Sequence, residues 1–312
     1  MDFRATDLHR ELATSTHEVL DKHCPAEAVR DGLAAEVWAA LVELGLPGAL
    51  ADDGLTVSDV LPALVETGWA AVPVPIVETA LVAVPLLLAA GREDLVDGII
   101  LGEVVVTAAP AGEPVPWAGF ATHALVLHDD AAQLVADSLI DDVAAVDTSR
   151  PLAKVSSTAN LFDADVRAAR LRGALGTAAQ LIGLAQRQLD MTVAHVRGRH
   201  QFGVPVGSFQ AVQHRLADAL LELRFAEPAV RAAGLAPGSV RAVALAKALA
   251  SEAADTVSAA ALQCHGAIGY TDEYDLQLYA KRGWALAASW GTADEHRSAY
   301  GSSVGLPIGR PR

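Results

Sequence analysis

The sequence predicts an α+β protein that is mostly α-helical, with a small β domain between two helical regions. Two observations predict this class. Apolar residues recur at helical spacing over the first hundred or so residues and again after about residue 160. Between these regions, short β-branched runs alternate with turn residues. The predicted divisions are a helical domain over residues 1–100, a reduced β domain over 101–157, a four-helix bundle over 158–300 and a tail over 301–312.

The N-terminal region carries four predicted helices. Gly45 follows the second of them as a helix C-cap would, and Thr56 opens the third as an N-cap. The fourth is apolar enough to be buried, but its most apolar run contains Pro85 and is shorter than the roughly 20 residues a membrane span needs. We therefore expect no membrane span. The predicted helices cover residues 3–23, 33–44, 56–69 and 76–90.

The middle region is predicted to form strands, because β-branched residues are clustered there in short runs bounded by turns. The predicted strands cover residues 104–107, 124–128, 133–135, 143–147 and 155–157.

The C-terminal region is predicted to be a helical bundle. Leu175, Ile182, Leu189 and Val196 recur at seven-residue intervals, as on a helix packed in a bundle. A second helix begins near Ser208, and Pro228 is expected to break or kink it. A third runs from the N-cap Ser239 to the region of Gly266. The last pair covers about 272–290 and 293–300.

Composition excludes several classes of function. The net charge is -15 with a pI near 5.0, so nucleic acid would meet a repulsive surface. The N-terminus lacks the pattern of a signal peptide, which predicts a cytoplasmic protein. Cys24 and Cys264 have no CxxC partner, which predicts reduced thiols. His195, His200 and His214 lack metal-ligand spacing, so no metal site is expected.

Two segments resemble signature motifs of the flavin-dependent acyl-CoA dehydrogenases. The first is RGRHQFGVPVGSFQ, in which Arg199, Phe202 and Gln210 match the family's residue types and spacing. The second is QCHGAIGY, in which Gln263, Gly266 and Gly269 match and Ala267 replaces a glycine. The resemblance extends over nearly the whole chain. It implies the acyl-CoA dehydrogenase fold, with a helical domain, an abbreviated β domain and a C-terminal four-helix bundle.

The resemblance also implies a cofactor role for these residues. In the family they reach across a subunit interface to the adenosine and pyrophosphate of the neighbour's FAD, an anionic group that a guanidinium binds well. Small residues in the second motif let the backbone approach the same cofactor. Without the resemblance, Arg199 would be read as a surface ion, Phe202 as core and the glycine segment as a helix C-cap followed by a turn.

The family's catalytic base is missing from both of its usual positions. Trp290 stands immediately before Gly-Thr, where the family has a glutamate, and an indole cannot accept the substrate's α-proton. Gly173 occupies the alternative base position, and Ala174 the place of a substrate-site arginine, whereas Arg170 and Arg172 lie nearby. The family's Gly-Ser-Asp stretch and Trp-Ile-Thr-Asn strand, which hold the flavin ring, are also absent after Thr107.

The pattern of retained and missing motifs resembles the shorter subunit of the α2β2 acyl-CoA dehydrogenases of actinobacterial steroid catabolism. The resemblance implies a longer partner subunit that supplies the base, FAD shared at the interface, an acyl-CoA substrate and an electron-transfer acceptor. One alternative is a homomeric flavoenzyme with a displaced base, Glu295 or Glu273, although Thr292 and Glu295 also match a capping box. Another is a flavin-free CoA-ester-binding or scaffold protein.

Overall fold

A computed structural model describes residues 5–32, 34–52, 54–136, 139–156 and 158–306. The N-terminal helices form where predicted, and a capping box between Thr56 and Asp59 starts the helix predicted over residues 56–69. Two further helices, α2 and α6, are 6 and 8 residues long, too short for their periodicity to be recognised. The helices are α1 Asp7–His23, α2 Ala26–Asp31, α3 Ala34–Glu43, α4 Val57–Trp69, α5 Val84–Ala89 and α6 Glu93–Ile100.

The helix predicted over residues 76–90 is not uniformly α-helical. Its middle part, Glu78–Ala83, is π-helical and leads directly into α5. Pro85 has no N–H to donate to the carbonyl one turn earlier. That carbonyl, on Leu81, accepts a hydrogen bond from Arg172 Nε at 2.7 Å. The buried carbonyl that the proline would leave unpaired is thereby satisfied from the bundle.

The middle region forms two small sheets. Strand β1 runs parallel to β3, which continues antiparallel to β4 and β7, and a second antiparallel sheet has the order β2-β6-β5. The prediction of a strand at 143–147 was wrong, because β5 ends at residue 143. Residue 157 lies outside the described residues. The strands are β1 Val106–Pro110, β2 Val115–Pro116, β3 His123–Leu127, β4 Ala131–Val135, β5 Leu139–Val143, β6 Leu152–Ser156 and β7 Leu161–Asp163.

The C-terminal region is a helical bundle centred on one long helix, α7. The predicted heptad seam is buried along it, and Ser239 caps α9 as expected. The expected break at Pro228 does not occur, because α8 continues through it to Gly234. The helices are α7 Val166–Gly198, α8 Gln210–Gly234, α9 Val240–His265, α10 Leu276–Ala288 and α11 Ala293–Ser303; a short hairpin, β8 His200–Gln201 and β9 Val204–Pro205, joins α7 to α8.

Helices α4 and α7 cross at very short range because each has a glycine at the contact. A Cβ on Gly183 would lie 1.9 Å from the carbonyl oxygen of Val65, and one on Gly68 would lie 2.1 Å from that of Gln180. This contact fixes the N-terminal helices against the bundle. The architecture confirms the predicted α+β, mostly α class. Among the described residues, no helix is both long and apolar enough to cross a membrane.

Candidate functional site

The two positions predicted to lack a catalytic base lie in direct contact. The indole of Trp290 covers the Cα of Gly173, and a Cβ on that glycine would lie 2.6 Å from Cδ2 of the ring. Trp290 is 8% exposed. An aromatic side chain therefore fills the space between α7 and the end of α10.

The turn that carries Trp290 is held from both sides. Its φ of 57° is in the left-handed region, which a residue other than glycine adopts only when its surroundings require it. His296 Nε2 donates to the Trp290 carbonyl at 2.9 Å. Lys247 Nζ donates to the carbonyls of Ala287 and Gly291, each at 3.0 Å. Helices α9 and α11 thus fix the tryptophan in its position.

The two carboxylates considered as a displaced base, Glu295 and Glu273, have different surroundings. Glu295 accepts hydrogen bonds from the backbone N–H and hydroxyl of Thr292 at 2.7 and 2.9 Å, so the capping box is confirmed. Glu273 is exposed, and Asp275 forms an ion pair with Arg30. Neither arginine near Gly173 is free, because Arg170 and Arg172 both donate to backbone carbonyls.

Glu78 is a buried carboxylate that the sequence analysis did not identify. It lies in the π-helical segment, is 3% exposed and is 3.9 Å from the guanidinium of Arg150. Burial raises its pKa, against the lowering effects of Arg150, Arg282 and a hydrogen-bonding interaction with the Trp290 side chain. The available signal was a single glutamate within the apolar run of residues 76–90.

A buried arginine, Arg282 on α10, connects the three parts of the fold. It pairs with Asp147 and donates to the Ser149 hydroxyl at 2.8 Å, and both partners belong to the segment before β6. It also donates to the Val72 carbonyl at 2.6 Å, in the segment after α4. Burial would raise the pKa of Asp147, but Arg282 and Ser149 outweigh it and lower that pKa.

The threonine hydroxyl in the first strand of the β region forms a hydrogen bond within the chain. Thr107 is fully buried and donates to the Pro116 carbonyl at 2.7 Å. Trp117, which follows Pro116, has a φ of 52° and donates through Nε1 to the Ser149 carbonyl at 3.2 Å. These groups are therefore occupied in the region where the resemblance implies that other family members hold the flavin ring.

The first motif lies at the far end of α7, on the surface. Arg199 is the exposed C-cap of α7, and its side chain makes no hydrogen bond or ion pair with any described residue. Phe202, at the hairpin turn, is 92% exposed, and its ring lies 6.2 Å from that of Phe209. Gln210 is the exposed first residue of α8. All three side chains are accessible to a ligand.

The second motif lies beside the first. Gln263 is exposed in the last turn of α9, Gly266 follows with a φ of 64°, and Gly269 is buried in a 3₁₀ turn. A Cβ on Gly269 would lie 3.0 Å from Cβ of His265, so the turn requires a small residue. The rings of His195 and His265 stack at 4.3 Å and bring the ends of α7 and α9 together.

The contact between Trp290 and Gly173 lies far from the exposed motif residues, as the positions of Gly173 and Arg199 show. Both residues belong to or cap the single helix α7, and they are 26 residues apart (199 − 173). At 1.5 Å per residue the helix separates them by about 39 Å. The motif residues and the Trp290 contact therefore belong to different sites. Among the described residues, no cluster of three His, Cys, Asp or Glu side chains could hold a metal ion.

Comparison with known proteins identifies the class. Residues 166–304 match the C-terminal domain of acyl-CoA dehydrogenases. The chain is 34% identical to acyl-CoA dehydrogenase IpdE2 of Mycolicibacterium smegmatis, over 92% of this chain and 96% of that protein. It is 31% identical to IpdE2 of Mycobacterium tuberculosis, over 87% of this chain and 89% of that protein.

Solved structures share the fold. A chain of the ChsE4-ChsE5 complex from M. tuberculosis superposes with a TM-score of 0.87 at 22% identity, over 98% of this chain and 100% of that one. Butyryl-CoA dehydrogenase from Megasphaera elsdenii superposes with a TM-score of 0.84 at 19% identity, over 97% of this chain and 100% of that one. This chain belongs to the acyl-CoA dehydrogenase family, whose members are FAD-dependent oxidoreductases acting on CH–CH bonds. The family predicted from the two motifs is confirmed.

Proposed function

We propose that this chain is one subunit of a heteromeric FAD-dependent acyl-CoA dehydrogenase, in which it completes the FAD site of a longer partner. The observation that carries the proposal is the contact of Trp290 with Gly173, which leaves no carboxylate at either predicted base position, whereas Arg199 stays exposed at the other end of α7. Such a chain could complete a neighbour's FAD site but would need a partner to supply the base.

The exposed end of the bundle fits part of an FAD molecule. Arg199 offers an unpaired guanidinium suited to a pyrophosphate, and Gln210 and Gln263 offer amide groups beside it. Phe202 offers an exposed ring for packing against a neighbouring chain or cofactor. Because these groups point away from the body of the chain, the cofactor they contact would be held mainly by the partner.

The proposed reaction is α,β-dehydrogenation of an acyl-CoA thioester. Bound FAD would accept the β-hydride, and the partner would supply the carboxylate that removes the α-proton. Trp290 and Gly173 leave no proton acceptor at either base position of this chain. The likeness to a chain of the Tcur3481-Tcur3483 steroid acyl-CoA dehydrogenase supports a steroid-derived acyl group, and the likeness to a chain of the ChsE4-ChsE5 complex supports a heteromeric assembly. The reduced flavin would pass its electrons to an electron-transfer acceptor.

Co-expression tests this proposal. The chain is purified alone and together with a longer acyl-CoA dehydrogenase encoded beside it, and flavin absorbance and turnover are measured for both. We expect FAD and activity in the complex, with one FAD for each copy of this chain. Stoichiometric FAD and turnover in the chain alone would contradict the heteromeric arrangement.

The role of Arg199 is tested in the same complex. Arg199→Ala should lower FAD retention without lowering stability, because its side chain is exposed and makes no hydrogen bond or ion pair with any described residue. Arg197→Ala, an exposed arginine on the same helix, is the matched control and should retain FAD. Equal retention by both variants would contradict the assignment of Arg199 to the FAD site.

Glu78 favours a second candidate, a homomeric dehydrogenase with a displaced base. It is a buried carboxylate with a raised pKa beside Trp290, and such groups are frequent at catalytic sites. Activity in the chain alone that is abolished by Glu78→Gln and retained by Glu295→Gln would establish this alternative. Activity in the co-expressed complex that is unaffected by Glu78→Gln would exclude it.

A further inference from the structure

A cavity of about 360 Å³ lies between the β region and the end of α10. Its walls are largely apolar and include Ala109, Pro116 and Trp290. Its rim includes Trp284, which is 43% exposed, and Val146, which is 62% exposed, so the cavity opens to solvent. Its size and apolar lining are typical of a site for a small organic molecule.

Arg150 brings a charge into this cavity. It is 6% exposed, and its guanidinium makes no hydrogen bond with any described residue. Its Nε is buried without a hydrogen-bond partner among the described residues, and burying a donor without an acceptor costs free energy. The nearest charge, Glu78, is 3.9 Å away, which is too long for a hydrogen bond. The ring of Trp117 lies 5.2 Å from the guanidinium carbon.

The surrounding charges do not compensate for Arg150. Arg282 lies over the same tryptophan ring at 5.4 Å, and Asp147 is already paired with Arg282. Burial lowers the pKa of Arg150 and raises that of Glu78, in each case against the attraction of the other group. Glu113 also lines the cavity but is exposed, and burial raises its pKa. An additional acceptor would therefore be stabilised beside Arg150.

We propose that this cavity binds a small carboxylic acid with an apolar body, and that Arg150 binds the carboxylate. A planar guanidinium fork matches the two oxygens of a carboxylate, and the alanine, proline and tryptophan walls match an alicyclic or aliphatic body. This site is separate from the proposed FAD contact at Arg199, since Trp290 in its wall covers Gly173 at the other end of α7. The proposal does not depend on the proposed function.

Calorimetry on the full-length chain tests the site, with cyclohexanecarboxylate and its uncharged analogue cyclohexanecarboxamide as probes. We expect the acid to bind at least tenfold more tightly than the amide, because the amide lacks the charge that pairs with the guanidinium. Binding should also change the tryptophan fluorescence, since Trp284 and Trp290 line the cavity. Equal affinities, or no binding by the acid, would overturn the proposal.

Two variants locate the binding. Arg150→Met should abolish the preference for the acid. Ala288→Trp introduces a large side chain at an exposed position in the cavity wall and leaves the charged residues unchanged, so it tests the site even if Arg150→Met does not fold. It should lower the affinity for the acid at least tenfold. Ala217→Trp, at an exposed position on α8, is the control and should bind like the wild type. Unchanged affinity in Ala288→Trp would refute the location.

Discussion

The indole of Trp290 packs on the backbone of Gly173, so the tryptophan at position 290 requires a glycine at position 173. Any side chain at position 173 would meet the ring, since even a Cβ would lie 2.6 Å from it. The two positions that the resemblance predicts to lack a base thus form one packing arrangement, in which a single aromatic side chain fills the space beside Gly173.

This contact predicts non-additive stability changes. Gly173→Ala should lower the free energy of unfolding by about 1–3 kcal/mol through overpacking, and Trp290→Ala by about 3–5 kcal/mol through the cavity it leaves. In the double variant the new methyl group enters the vacated space, so its cost should be less than the sum. Urea unfolding measures all three. Additive costs would show that the two residues are not in contact.

The crossing of α4 and α7 predicts a larger effect at another glycine. Gly183→Ala should destabilise the protein by about 3 kcal/mol or more, because the new methyl would lie against the rigid Val65 carbonyl rather than a movable side chain. Gly198→Ala is the control on the same helix, because a Cβ there meets no atom within 4 Å. It should be neutral or slightly stabilising. Thermal unfolding of the two variants checks this difference.

The ion pair between Arg282 and Asp147 is buried, which predicts a high cost of breaking it. Both side chains are at most 3% exposed, and Arg282→Met would leave the carboxylate buried and unpaired. We expect a loss of about 3–5 kcal/mol in the free energy of unfolding. The partly exposed pair of Arg30 and Asp275 is the control, and Arg30→Met should cost less than about 1 kcal/mol. Similar costs in denaturant unfolding would contradict this distinction.

The burial of Lys247 is expected to make the stability of the protein depend on pH. Burial lowers its pKa from 10.5 to about 7, so above pH 7 the folded chain has released a proton that the unfolded chain still binds. The free energy of unfolding should therefore rise with pH, by up to about 1.4 kcal/mol per unit. Cys24 acts in the opposite direction above about pH 9, because burial raises the pKa of its thiol to about 12. Burial also shifts the pKa values of Glu78 and of three histidines, so a variant without the amine is needed to isolate the effect of Lys247.

The comparison for this prediction is Lys247→Met. The variant has no amine to titrate, so its stability should change less between pH 7 and 8.5 than that of the wild type. Parallel pH profiles in urea unfolding would show that another group is responsible.

Much of the fold was predictable because local chemistry sets it. Thr56, Ser239 and Thr292 all cap helices as their sequence contexts predict. The hydrogen bond that satisfies the Leu81 carbonyl in the π-helical turn was not predictable, because its donor, Arg172, is 91 residues away. The strand predicted at 143–147 was wrong because β-branched residues do not determine which segment finds a pairing partner.

The candidate sites were predictable to different degrees. Motif spacing identified Arg199 and Gln263, which stay predictions of cofactor contacts. Glu78 and Arg150 were missed, since a lone charged residue in an apolar or loop segment gives no periodic signal. Their significance follows from burial and from neighbours distant in sequence, such as Trp290.

The bonds of Arg282 have a consequence for the dynamics of the chain. One side chain contacts the segment after α4, the segment before β6 and its own helix in the bundle, so separating any of these breaks a buried hydrogen bond or ion pair of a charged group. Partial unfolding of one region is then nearly as costly as opening all three. Slowly exchanging amide protons in the three regions should become exposed to deuterium together, as one cooperative unit.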